Sequence, residues 1–410
     1  MSYQDLSKLS RDLISEAQSL PFVRKELFER LEPPKENVVI LKGARGVGKS
    51  TVIKQYLAFK QKSGFRAFYF SADSIYLDSR LADIAMEYND RGGEYLAIDE
   101  IHRYTGDWQK ELKTIIDSFP HIKVIVSGSS AISLDYATAD LSRRHVMINA
   151  KGLSFREYLS LSVGMNFILY PLSDLLQNSE DVCYTICKTF AREKIDLLQN
   201  FHNYLQEGYF LTRSHYPTQD IYFESLINTI NGVIDSDISY VHRDVDPVAR
   251  DKIKAILKHI ATKCPFIPNI SEVAQNLGLS NDNTLKKYLL YLNEGEILLN
   301  LYPSNKSHKD FPKPQKIFLN NTNFAYALKN EPNIGTIRET FVANCLSGFG
   351  DLTAPLQGDF CLNNELFFEV GGKSKNKKQL KGIKNSYVLA DNALSADADI
   401  IPLWLLGFLW

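Results

Sequence analysis

Residues 37–56 read NVVILKGARGVGKSTVIKQY, and this stretch decides the fold. A strand-length apolar run (NVVIL, 37–41) passes into Gly43-Ala44-Arg45-Gly46-Val47-Gly48-Lys49-Ser50, and a helical pattern follows from Thr51. Glycines at these spacings let a backbone curl around an anion, so that its N–H groups and the start of the next helix face the charge. The spelling G-x-x-x-x-G-K-[ST] adds an ammonium and a hydroxyl where a triphosphate and its Mg²⁺ need them. Residues 43–51 are therefore the expected cradle for ATP. Lys49 is expected to reach the β- and γ-phosphates, and Ser50 to ligate Mg²⁺.

Working outward, three more strand-length runs follow: FRAFYF (65–70), YLAID (95–99) and IKVIVS (122–127). Helix-like stretches separate them, which is the pattern of a mostly parallel sheet covered on both faces. YLAID ends in Asp99, expected in the Mg²⁺ shell, and the next residue, Glu100, is the expected general base for the attacking water. IKVIVS runs into Ser127-Gly128-Ser129-Ser130. Ser129 is the candidate hydroxyl for sensing the γ-phosphate, and a plain strand-to-helix turn is the competing reading. Upstream, residues 1–36 read as an amphipathic helix ending at Pro33-Pro34.

Length and composition bound the rest. A chain of 410 residues exceeds one ordinary core. It is 44% hydrophobic and 23% charged with a net charge of −1, so any attraction to nucleic acid or an acidic membrane must be local. No run approaches the roughly 18 apolar residues of a membrane span. The N-terminus is polar, and the five cysteines (183, 187, 264, 345 and 361) lack zinc-site spacing. A cytoplasmic protein with free thiols is expected.

Residues 151–245 show helical periodicity, as in 181–205. In 250–302 an amphipathic helix, a short helix, a turn at Gly278, a second helix and the strand EILLNLY spell a helix-turn-helix with a wing. That second helix carries Asn281, Asn283, Lys286 and Lys287, side chains able to meet phosphates and base edges, beside a core face of Leu285, Tyr288, Leu289 and Leu292.

GARGVGKST, YLAIDEIHRYTGDW and ELKTIIDSFPHIKVIVSGSSA together resemble bacterial and archaeal AAA+ ATPases of the archaeal-ATPase type. LSRRHVMINAKGLSFREYL (141–159) resembles that family's Gly-Arg and "PLSF-EY" segment, with Ser142-Arg143-Arg144 and Lys151-Gly152-Leu153 as departures. The resemblance implies a helical lid, a winged helix, and Arg143 or Arg144 as an arginine finger acting within a subunit or across a homo-oligomer. It also implies a C-terminal PD-(D/E)XK nuclease-like domain with Glu339, Asp359 and Glu369 as metal ligands. In that pattern the lysine stands two residues after the last acid, where this chain has Gly371, so Lys373 is the expected substitute provided Gly371-Gly372 forms a bulge or bend. Gln379 is a further polar contact, and six lysines between 373 and 384 supply local positive charge.

The expected architecture is α/β: a P-loop AAA+ parallel-sheet core (1–150), a helical lid (151–245), a winged helix-turn-helix (246–308) and a nuclease-like α/β domain (309–410). The expected function is a Mg²⁺-dependent ATPase acting on nucleic acid through its C-terminal domain. The rival is an ATP-driven switch or assembly platform that binds protein partners and carries a degenerate nuclease domain. No membrane partner is expected.

Overall fold

Parallel strands buried on both faces need continuous apolar sequence, and β1 (Val38–Lys42) supplies it: Val38, Val39, Ile40 and Leu41 are all fully buried. In the computed structural model, which describes residues 3–34, 38–74, 79–128, 144–279, 281–303, 312–329 and 331–410, the chain divides into two compact units, Met1–Gly152 and Leu153–Trp410.

The first unit is built on β1, β2 (Ala67–Ser71), β3 (Tyr95–Asp99), β4 (Lys123–Gly128) and β5 (His145–Asn149). They form one sheet in the order β2-β3-β4-β1-β5, with every neighbouring pair parallel. The fifth strand was not among the expected runs, because HVMIN is a half-exposed edge with little apolar continuity. Helices α1 (Tyr3–Gln18), α2 (Lys25–Glu29), α3 (Lys49–Lys62), α4 (Leu81–Asp90) and α5 (Trp108–Ser118) complete the unit. One face of the sheet (Val38, Ile40, Phe70, Ile98, Val126) packs on Leu81, Ile84, Leu112 and Ile115 from α4 and α5. Strand β2 lies at the other edge, where Ser10 Oγ of α1 accepts the Tyr69 N–H at 2.8 Å and occupies a donor that an edge strand leaves open.

The expected single helix over residues 1–36 is two helices with a break between them. Pro21 disfavours helical geometry in the residue before it, and the chain leaves α1 at Gln18 and re-forms a helix only at Lys25. Residues 19–34 then run as a strap along the sheet. Glu32 fixes its far end, pairing with Lys60 (2.5 Å) and Lys123 and accepting from Tyr56 and Tyr95. Burial acts to raise the Glu32 carboxyl, but these donors outweigh it and bring it down to about 2.

In the second unit, helices Ser179–Glu193, Leu197–Glu207, Gln219–Gly232 and Pro247–Lys263 lead to Ile270–Asn276 and Asp282–Glu294. Strand β6 (Leu298–Leu301) pairs antiparallel with β7 (Lys316–Leu319). A mixed sheet of β8 (Leu352–Thr353), β9 (Phe360–Leu362), β10 (Leu366–Gly371), β11 (Ser386–Ala390) and β12 (Ile400–Pro402) follows in sequential spatial order. Its first three strands are antiparallel and its last three parallel. Helix Ile334–Leu346 is apolar on most sides and buried from Thr340 to Leu346, as a helix between layers must be. Asn323, fully buried, accepts from Tyr209 N and Tyr222 Oη at 2.9 Å each and donates to the Leu205 carbonyl at 3.0 Å.

Asn323→Leu strands those partners, at a cost of about 3 kcal/mol or more. The melting temperature of the unit, followed by near-UV circular dichroism, is expected to fall by about 6 °C or more. A shift within about one degree would contradict the role of Asn323 as a polar hub.

Candidate functional site

At the C-terminal end of the parallel sheet, β1 gives way to the glycine-rich loop. Gly43 has φ +155°, and a Cβ there would sit 2.1 Å from the Ala150 carbonyl oxygen, so only glycine permits this approach to the end of β5. Gly48, at φ 91°, caps α3 in the left-handed region. Lys49 opens α3 with its side chain folded over the loop, and its ammonium donates to the carbonyls of Gly43 and Ala44 at 2.8 Å each. Triphosphate oxygens compete for that same donor.

Asp99 ends β3 and is 3% exposed. Strand β4 lies between β1 and β3, and the register Ile98↔Val126 brings Ser127 level with Asp99. Ser127 Oγ donates to Asp99 Oδ1, and Tyr69 Oη from β2 donates to Oδ2 at 2.5 Å. The Glu100 N–H also points at Asp99 Oδ1, at 3.2 Å. Burial, and then Asp99 itself, raise the Tyr69 phenol, which stays a donor. The Ser50 side chain acts on the same phenol in the opposite direction, so Ser50 and Asp99 share one neighbour. A hydroxyl and a carboxylate brought together beside a phosphate loop are a donor set that fits Mg²⁺ carried by a nucleotide; the ion would supply Lewis-acid neutralisation of phosphate charge.

Glu100 adopts φ 51°, ψ 40°, a conformation that costs a non-glycine residue about a kcal/mol or more. The chain turns there into a short 3₁₀ helix that buries His102, whose Nδ1 lies 3.5 Å from Glu100 Oε2. Burial, reinforced by Arg103, Lys49 and Arg45, pushes the imidazole down to about 3.

Ser129 and Arg143 lie outside the described residues. Arg144 precedes β5 at the opposite end of the sheet. Its carbonyl accepts the Val38 N–H at 2.9 Å, and its guanidinium pairs with Asp117. Strand β1 alone separates that end from the loop by about 13 Å, so Arg144 does not reach a phosphate on its own chain, which corrects the same-subunit role allowed for it.

Three participants were not legible as site residues: Tyr69, Ser127 and Arg24. Arg24 is 5% exposed, and its guanidinium donates to Val47 O (2.9 Å) inside the glycine-rich loop, to Lys151 O (2.7 Å) and to Gly152 O (3.0 Å). Gln55 of α3 ties the same strap through Phe22 O at 2.9 Å. A planar fork matches three carbonyls in a way a single ammonium does not.

The C-terminal acids are carried by the mixed sheet and by one helix. Glu369 (1% exposed) is on β10, Asp359 precedes β9, and Glu339 lies on helix Ile334–Leu346. They are electrostatic neighbours: burial raises the Glu339 carboxyl, and Asp359 and Glu369 act in the same direction against Lys316. Among the described residues, no three His, Cys, Asp or Glu side chains are gathered to hold a metal ion. Glu339 pairs with Lys316 at 2.5 Å, Asp359 Oδ2 accepts the Val370 N–H at 2.8 Å, and Glu369 pairs with Lys375. The Gln379 amide, turned to suit its neighbours, donates to both Glu369 oxygens, at 2.6 and 3.0 Å. Of the three acids expected to hold a metal, Glu339 and Glu369 thus carry internal countercharges and Asp359 is met by a main-chain donor.

The lysine expectation is also corrected. After β10 the chain turns, Lys375 N–H donating to Gly372 O at 2.9 Å, and Lys373 is exposed. Lys375 instead folds back to Glu369, and a Cβ at Gly371 would sit 2.6 Å from its Cγ. At Gly371, where the nuclease resemblance calls for lysine, the stem of Lys375 fills the space a side chain would need.

Fold and loop geometry together define the first unit as a P-loop nucleotide-binding domain. Residues 35–159 match the family model described as an AAA domain. The chain is 25% identical over 423 residues to the uncharacterized protein MJ1637 of Methanocaldococcus jannaschii, covering 94% of this chain and 87% of that one. Among solved structures it is similar to AMPPCP-bound DnaA from Aquifex aeolicus, with 13% identity, 71% of this chain and 88% of that one covered, and a TM-score of 0.28. It is also similar to the DnaC helicase loader, with 16% identity, 31% and 85% covered, and a TM-score of 0.22. No helix among the described residues is long and apolar enough to cross a membrane.

Two measurements follow. Arg24→Lys keeps the charge and loses the fork; with charged hydrogen bonds worth about 1.5–3 kcal/mol each, affinity for a fluorescent ATP analogue is expected to fall about tenfold or more. Unchanged affinity would show that the loop holds its form without the guanidinium. The second concerns pH. Because folded His102 resists protonation, the unfolded chain takes the proton first, so stability is complete above pH 6.5 and declines as pH falls toward about 3. The slope is at most about 1.4 kcal/mol per pH unit. Glu32 adds its own loss only below its ordinary 4.5. Between pH 6.5 and about 5, His102→Gln is expected to flatten the melting-temperature profile of the protein; an equal slope in both proteins would refute the assignment.

Proposed function

We propose that the chain is a Mg²⁺-dependent ATPase whose nucleotide cycle controls a C-terminal binding domain. The observation that carries this reading is the joining of Lys49, Asp99 and Ser127 at one end of the sheet, with Glu100 beside them. In it, Lys49 and the loop N–H groups neutralise the triphosphate, Ser50 and Asp99 hold the Mg²⁺ shell, and Ser127 and Tyr69 fix the Asp99 carboxylate. Glu100 orients and deprotonates the attacking water, and His102, neutral and buried, supports it without competing for the proton. Residues 1–150 form the AAA+ core, 151–245 a lid and 246–308 a winged helix. An arginine finger comes from a neighbouring copy, through Arg143, or through Arg144 once released from Asp117.

The winged helix is read as a coupling module rather than a base reader. Asn281 is consumed as a helix cap toward Thr284 N (2.9 Å), and Lys287 is held by Asp244 (2.6 Å). Residues 309–410 are read as a nuclease-like domain converted to binding, since Lys316 and Lys375 already compensate Glu339 and Glu369. The second reading, an active metal-dependent nuclease, is favoured by one observation, the electrostatic proximity of the three acids.

Glu100→Gln is expected to retain ATP binding and lose about 10²–10⁴-fold in kcat, whereas Lys49→Ala loses binding itself. Undiminished turnover in Glu100→Gln protein would reject Glu100 as the base. Mn²⁺- or Mg²⁺-dependent cleavage of DNA or RNA that vanishes in Glu369→Gln protein would favour the second reading.

A further inference from the structure

Residues 372–384, GKSKNKKQLKGIK, leave the end of β10 and return to β11 with six lysines and no acid. The excursion is held from beneath at three points. Lys375 pairs with Glu369, the Gln379 amide donates to the same carboxylate, and Leu380 is fully buried. At its start, Arg338 Nε donates to buried Asp391 at 2.8 Å, and Asp391 N–H donates to Gly371 O at 2.8 Å, fixing the strand end from which the turn departs. Lys377 pairs with Asp399 at 2.8 Å. Lys373, Lys378, Lys381 and Lys384 are exposed, and among the described residues none of these four ammonium groups is in an ion pair. A pocket of about 590 Å³ lies among Asn376, Lys377, Lys378, Leu380, Lys381 and Ile383.

Four uncompensated ammonium groups on a tethered turn attract a polyanion, in a chain whose net charge is −1. The surroundings select which one. An acidic membrane surface would call for outward aromatic or aliphatic anchors beside the lysines. Here Leu380 points inward and Ile383 is half-buried, leaving Ser374, Asn376 and Gly382 between the cations. A protein partner would call for aromatic or arginine anchors at the centre of the patch, and lysine is depleted in such interfaces. Lysine interleaved with small polar groups is the chemistry that meets phosphodiester backbones without reading bases.

We propose that residues 372–384 form a sequence-independent docking strip for a nucleic-acid backbone, with Lys373, Lys378, Lys381 and Lys384 contacting phosphates and Lys375 kept inside as the countercharge of Glu369. This rests on the reading of the C-terminal unit as a binding domain. The strip orders its lysines on Glu369, so a carboxylate that a nuclease would use to hold metal serves as its anchor.

The test uses the full-length protein in EDTA, with fluorescein-labelled single-stranded and duplex DNA read by anisotropy across a salt series. Each lost phosphate contact flattens the slope of log K against log salt by about 0.7 for a single strand and about 0.9 for a duplex. Lys378→Gln/Lys381→Gln is therefore expected to flatten it by about 1.4 or about 1.8, and to weaken binding tenfold or more at low salt. Both side chains are exposed, and an unchanged near-UV spectrum and melting temperature will establish that the variant is folded. An unaltered slope and affinity would overturn the proposal, as would polyglutamate binding as tightly as DNA of equal charge. Metal-dependent cleavage lost in Glu369→Gln protein, with the lysine effect intact, would instead overturn only the non-cleaving reading.

Discussion

A carboxylate drawn into the protein interior has to be met by donors or by positive charge, because desolvation otherwise drives it to neutrality. This chain meets that constraint in two ways. Around Asp99 the partners are the neutral hydroxyls of Tyr69 and Ser127 and a main-chain N–H, so the negative charge is solvated but not cancelled. Around Glu339 and Glu369 the partners are the ammonium groups of Lys316 and Lys375, so the charge is cancelled within the protein. The first arrangement leaves the negative charge uncancelled by the protein, and the second leaves little electrostatic demand for a cation.

The first arrangement depends on strand order. With β4 between β1 and β3, one register sets Ser127 beside Asp99 while the loop leaves the neighbouring strand. The strap 19–34 then acts on the loop from outside: Arg24 fixes the Val47 carbonyl, and Glu32 fixes the strap to Tyr95 of β3 and Lys123 of β4. Loop geometry is therefore tied to the sheet through the N-terminal segment as well as through β1. Preorganising backbone donors before a ligand arrives lowers the ordering cost of binding.

What was legible in the sequence follows from locality. The glycine loop and the Asp99-Glu100 strand end are contiguous patterns whose chemistry fixes their spelling, and the parallel sheet shows in its apolar runs. Tyr69 reads as one more core aromatic in FRAFYF, and Ser127 as the last residue of a strand, because their roles arise only when β2 and β4 flank β3. Arg24 was hidden inside a stretch read as helix, and the break after Gln18 is what frees it to reach the loop. Lys373 stands nearer than Lys375 to Glu369 along the chain, and an extended strand would keep that order in space. The turn closed by Lys375 N–H on Gly372 O reverses that order.

The proposed division, with cation binding in the first unit and polyanion binding in the second, follows this difference in charge compensation. The most direct measurement of that division is Mn²⁺ stoichiometry by electron paramagnetic resonance, with and without a non-hydrolysable ATP analogue. The account predicts one tightly bound Mn²⁺ per chain that requires the analogue, is lost in Asp99→Asn protein and is indifferent to Glu369→Gln. A second, nucleotide-independent Mn²⁺ that disappears in Glu369→Gln protein would contradict it.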